Sequence, residues 1–162
     1  MQTFLGRVVP LLALAGMAMS VSAADGLERR TYNYSKHPPK VFSEAVTLSG
    51  LEHGKLVFLA GVGSEDEEGP RGRIRHPDDF AAQCRYAYDK IKRALAANGA
   101  TLGDAVKIVV YLTDIKYRDA WAECHLQSFA GATVPANTLL VVNQLSWPEM
   151  KVEVDVTAAV RR

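Results

Sequence analysis

The stretch 151-KVEVDVTAAVRR-162 opens with strict alternation: Val152, Val154 and Val156 are separated by Glu153, Asp155 and Thr157. Successive side chains of an extended chain point to opposite faces, so this pattern predicts a strand over about residues 150–158 with its valines on one face and its carboxylates on the other. Three further runs behave differently. In 105-AVKIVVYLT-113, 138-TLLVV-142 and 56-LVFLA-60 the apolar residues occupy both alternating positions, as they do in strands covered on both faces.

Two amphipathic segments are available to cover such a sheet. Phe80, Cys84, Ala87, Tyr88, Ile91 and Leu95 recur at spacings of three and four, while Arg85, Asp89, Lys92 and Arg93 fall elsewhere. That period predicts a helix, with Pro77 in its first turn, Asp78 and Asp79 at the positive end of its dipole, and Asn98-Gly99 closing it. A second helix is expected from about Tyr117 to Phe129, where Tyr117, Trp121, Cys124 and Ser128 share a face.

The remaining strands are read at 45–49 and 55–62, a hairpin turning at Gly50, His53 and Gly54, then at 106–113 and 137–142. A short edge strand at 29-RRTYNYS-35 ends at His37-Pro38-Pro39. The expected fold is therefore α+β, a mixed sheet with two helices on one face. Two helices leave the other face bare, and in a single domain this implies self-association. If the valines of the last strand face the helices, Glu153 and Asp155 face the partner copy.

Composition supports one globular domain: 162 residues, 48% hydrophobic and 23% charged. Residues 1–23 read as a signal peptide, with Arg7 in its n-region, an apolar run from Val8 to about Met19 interrupted by Pro10 and Gly16, and Val21-Ser22-Ala23 before the cleavage point. That run is too short to span a bilayer. The expected product is a single domain over residues 24–162, periplasmic or secreted, with no membrane attachment after cleavage. Loss of Arg7 takes Lys+Arg from 19 to 18 against 18 Asp+Glu. A formally neutral chain lacks the basic excess that drives nucleic-acid binding. Export also permits Cys84 and Cys124 to form a disulfide, the alternative being two small buried apolar residues.

Motifs that carry chemistry are sparse. His37, His53, His76 and His125 are scattered without metal-ligand spacing, and there is no GxSxG or GxGxxG, so no metal or cofactor is implied. His125 reads as a packed ring with a hydrogen-bonded nitrogen. The segment 64-SEDEEGPRGRIRHPDDF-80 sets four acidic residues against Arg71, Arg73 and Arg75, which reads as a solvated, self-neutralising loop. Glu153 stands at a partner-facing position where burial would raise its pKa and make it useful as an acid or base; the bland alternative is a carboxylate hydrogen-bonded across an interface.

From Phe42 onward the chain resembles the RidA (YjgF-type) family. The resemblance rests on 42-FSEAV-46, 57-VFLAG-61, the block 81–115 that begins AAQCRYAYDKIK, 135-PAN-137 and the closing 151–162. It implies a chorismate-mutase-like α+β fold, a homotrimer with small-molecule clefts between subunits, and hydrolysis of 2-enamines and 2-imines to 2-keto acids and ammonia. Glu153 matches the family's glutamate, thought to position or activate water. Other cleft positions depart: Asn137 stands where the family has an arginine that clamps the substrate carboxylate, Phe42 where a tyrosine is usual, Ala60 where serine is usual, Ala122 where asparagine is common, and Leu139 where a small or thiol residue often sits.

An amide cannot supply the clamp's charge. Two bonds from a guanidinium contribute roughly 1.5–3 kcal/mol each, and one neutral bond about 0.5–1.5. The primary expectation is an exported trimer that binds or acts on a small molecule with weak or absent 2-imino acid hydrolysis, its apolar cleft favouring a neutral or weakly cationic ligand. The alternative is an imine deaminase in which Arg71, Arg73 or Arg75 replaces the guanidinium. The nuclease activity sometimes ascribed to the family is opposed by the neutral charge and the absence of a His/Lys acid–base pair.

Overall fold

In the computed structural model of the chain, the residues described are 28–32 and 45–161. The expected signal peptide, Phe42 and the His37-Pro38-Pro39 strand stop lie outside them. Six strands form one sheet: β1 (Glu28–Tyr32), β2 (Ala45–Leu51), β3 (Gly54–Leu59), β4 (Ala105–Leu112), β5 (Ala136–Val141) and β6 (Val152–Arg161). Their spatial order is β1-β2-β3-β6-β4-β5. All pairs are antiparallel except β4 with β5. A parallel pair needs a crossover, and helix α2 (Arg118–Phe129) provides it. Helix α1 (Phe80–Ala97) connects β3 to β4.

The first helix opens later than its sequence suggested. Asp79 is extended and its Oδ1 accepts from the Ala82 amide at 2.9 Å, so it is the N-cap, and Pro77 lies before the helix. At the other end the Gly99 amide donates to Ala96 O and the Ala100 amide to Leu95 O, with Gly99 at φ +64°, a Schellman closure that glycine adopts without strain. Both helices pack on the valine face of β6: Val152, Val154, Val156 and Ala158 are buried with Ile108, Val110 and Leu112 of β4 and with Tyr88, Ile91 and Leu95 of α1. Cys84 and Cys124 are bridged, with Cα atoms 6.5 Å apart, joining α1 to α2 inside this core.

The opposite face carries Phe58, 39% exposed, and Leu140, 45% exposed. These apolar side chains are uncovered in a single chain, in keeping with the two-faced pattern of the strands. Between β3 and β6 the pairing is irregular. Phe58 pairs with Thr157 and Val62 bridges Val154, so four steps on one side oppose three on the other. Such a bulge redirects the backbone, and here it turns Gly61 onto Glu153: a Cβ added at Gly61 would lie 2.1 Å from Glu153 Oε1.

Candidate functional site

Glu153 sits on β6, opposite Tyr111 of β4 in the register, and Asp155 sits opposite Val109. Alternation with the buried valines places both carboxylates on the face away from the helices. There they line an open cavity of about 320 Å³ together with Tyr111, Val142 and residues 144–146 of the β5–β6 connection. Burial, reinforced by the charges of Glu65 and Asp155, pushes the Glu153 carboxyl up to about 7, with Lys90 pulling the other way. Asp155 is also raised by burial, although the Tyr111 hydroxyl donates to its Oδ2 at 3.1 Å and favours the ionised form. Near neutrality Glu153 is thus poised to take up or release a proton.

The other expected site residues lie elsewhere. Asn137 is in register with Ile108 and Leu139 with Val110, both buried against the helices. Leu139 and Ala122 of α2 pack against that helix-side core, and Asn137 is exposed on the same face. Ala60 is half-buried in the bulge next to Gly61. Within one chain the sheet therefore separates Asn137, Leu139 and Ala122 from Glu153.

The charged loop is self-neutralising, and Glu68, Pro70, Arg71 and Arg73 are solvated as expected, but Asp66 is not. Asp66 is buried and receives Arg75 Nη2 at 3.1 Å and Arg73. Burial opposes the charge of Asp66, yet the Glu68 amide and the two guanidiniums outweigh it and lower its pKa. The loop is clasped onto α1 through Lys90–Glu65, Arg93–Glu67 and the Tyr86 hydroxyl on Glu67. Arg73 and Arg75 are paired with Asp66; Arg71 and Arg73 are both exposed, and Arg71 makes no such pair. Asp155 shares the face read for Glu153 from the alternation, whereas Tyr111, Lys90 and Glu65 carry no such signal in the sequence. A different signal was available for Lys90, which follows Ala87 by three and precedes Ala94 by four, inside the apolar stripe of α1.

His125 is a packed residue, as its sequence context suggested. It is buried, its Nδ1 is 2.7 Å from the Tyr88 hydroxyl, and it stacks on Trp121. Burial lowers its pKa from 6.5. The unfolded chain then binds this proton at a higher pH than the folded one, so His125 contributes stability that is lost as pH falls below about 6.5. Glu153 works in the opposite sense: its contribution is full below 4.5 and is lost as pH rises through about 7. The contrast between proteins isolates the ring. Across melts from pH 7 to pH 5, wild type should lose stability relative to His125→Gln; parallel curves would contradict this.

Among the described residues no group of three or more His, Cys, Asp or Glu is placed to hold a metal ion, and no helix is long and apolar enough to cross a membrane. The profile of the family described as Endoribonuclease L-PSP matches residues 36–160. The 2-iminobutanoate/2-iminopropanoate deaminase of Escherichia coli (strain K12) is 29% identical over 119 residues, covering 71% of this chain and 87% of that protein. Among solved structures, Rv2704 of Mycobacterium tuberculosis, a member of the YjgF/YER057c/UK114 family, is 31% identical with a TM-score of 0.64, over 82% of this chain and all of that one. RidA from an Antarctic Psychrobacter is 26% identical with a TM-score of 0.66, over 81% and 99%. A six-stranded mixed sheet with two helices on one face, matched along most of its length by these proteins, places this chain in the YjgF/RidA family.

Proposed function

We propose that this protein is an exported RidA-type homotrimer that binds or acts on a small molecule in clefts between subunits, with weak or absent hydrolysis of 2-imino acids. The observation that carries this reading is the placement of Asn137 and Glu153 on opposite faces of one sheet. A cleft using both needs the Asn137 edge of one copy to meet the Glu153 face of another, and the uncovered Phe58 and Leu140 give that second copy an apolar surface to cover. The cavity at Glu153 is lined by two carboxylates, a phenol, an amide and a hydroxyl, with no cation among them. A ligand that is neutral or weakly cationic suits that lining; an amino-acid-like anion does not. Glu153, near neutrality, would move the proton.

Export is supported independently by the Cys84–Cys124 bridge, since such bridges persist in oxidising compartments. The formally neutral mature chain argues against nucleic acid as a partner. The test is keto-acid release by residues 24–162 from 2-iminopropanoate generated in solution. The expected rate is close to the spontaneous one. Strong acceleration would overturn the reading and direct attention to Arg71, the loop arginine not engaged with Asp66.

A further inference from the structure

Lys90 is a buried cation that the proposed cleft does not use. It is 5% exposed, and its ammonium donates to Gly63 O at 3.1 Å, Glu65 O at 3.1 Å and Glu65 Oε2 at 3.0 Å. All three hydrogens are engaged. Glu65 Oε2 also accepts from the Gly63 amide at 3.1 Å, so the 63–65 turn is wrapped around one charge from α1. Immediately before that turn, Gly61 lies against Glu153 and Val62 exchanges both backbone hydrogen bonds with Val154. Whatever fixes the turn also fixes the wall beside the carboxylate. Packing alone does not account for an ion pair there, because apolar side chains of similar volume are often as stabilising.

We propose that the Lys90–Glu65 pair is a positioning device for Glu153: it clamps the 61–65 segment against the carboxylate and sets which protonation state that carboxylate presents to a ligand. This rests on Glu153 being the acid–base group of the cleft. The ionisable groups around Glu153 come from four places: Asp155 on β6, Tyr111 on β4, Glu65 in the turn and Lys90 on α1. Gln144 and Ser146, from the β5–β6 connection, are uncharged. Of the four, Lys90 alone is a cation and Glu65 is its direct partner. The two members of the pair push Glu153 in opposite directions, so removing either one has a signed consequence.

The experiment is a carbon-13 NMR titration of the Glu153 side-chain carboxyl in the folded full-length chain, with its resonance identified by loss in Glu153→Gln. The wild-type midpoint is expected near 7. Lys90→Met should raise it and Glu65→Gln should lower it, each by roughly half a unit or more. Opposite signs would show that each charge of the pair reaches Glu153, as the clamped geometry requires. Unchanged midpoints in both variants, or shifts in the same direction, would overturn the inference. Should Lys90→Met fold poorly, Glu65→Gln still decides, because its amide oxygen continues to accept from Lys90. Failure here is distinguishable from failure of the proposed function: the titration needs no substrate, and the keto-acid assay leaves Lys90 untouched.

Discussion

Replacing both bridged cysteines, as Cys84→Ala/Cys124→Ala, should lower the stability of the protein by about 4 kcal/mol, the chain-entropy value for a closed loop of this size. The cysteines are 40 residues apart in sequence and both are buried. On that account the bridge acts mainly on the unfolded chain, which loses the freedom to separate α1 from α2. The folded state adds a smaller effect, since two sulfurs leave a core also built from Tyr88, Trp121 and Phe129. A loss of this size corresponds to roughly 10–15 °C in melting temperature for a domain of this length. Thermal unfolding of wild type and the double variant, without reductant, measures it. Melting points within a few degrees of each other would mean that helix packing alone holds the crossover in place.

The second large effect is a gain. Asn137→Arg should raise kcat/KM for 2-iminopropanoate by roughly a hundredfold to several hundredfold over wild type. A guanidinium makes two charged bonds to a carboxylate at roughly 1.5–3 kcal/mol each, where the amide makes one neutral bond of about 0.5–1.5. The difference is about 3–4 kcal/mol, and each 1.4 kcal/mol is tenfold. Asn137 is exposed on edge strand β5, so the longer side chain has room in a single chain. Steady-state keto-acid formation measures the outcome. If Asn137→Arg gains nothing, position 137 does not face the substrate carboxylate and the proposed cleft between copies fails with it. A gain abolished by adding Glu153→Gln would place both residues in one cleft.

Much of this was legible in the sequence because it follows from period. The valine alternation of β6 fixed which face Glu153 takes, and apolar residues on both faces of β4 signalled a covering that the helices do not supply. What was not legible depends on register and on distant partners. That Asn137 falls on the helix side follows from its pairing with Ile108 in a parallel ladder set by the α2 crossover, which no local pattern encodes. Asp66 reads as a solvated acid until Arg73 and Arg75 close over it. Pro77 reads as a first-turn residue, but Asp79 captures the helix start by capping Ala82. Lys90 is inside an apolar stripe, and a lysine there reads as solvent until the turn that surrounds its charge is known.

The last of the described strands is not at the edge of the sheet but in its middle, between β3 and β4. Until residues 152–161 exist, β1-β2-β3 and β4-β5 have no strand to join them, and each presents an unsatisfied edge. Assembly of the described sheet therefore waits for residues 152–161, and its decisive pairings, such as Phe58 with Thr157, span nearly a hundred residues. Non-local closure of that kind is slow. Removing residues 152–161 would therefore cut the sheet in two rather than trim its margin.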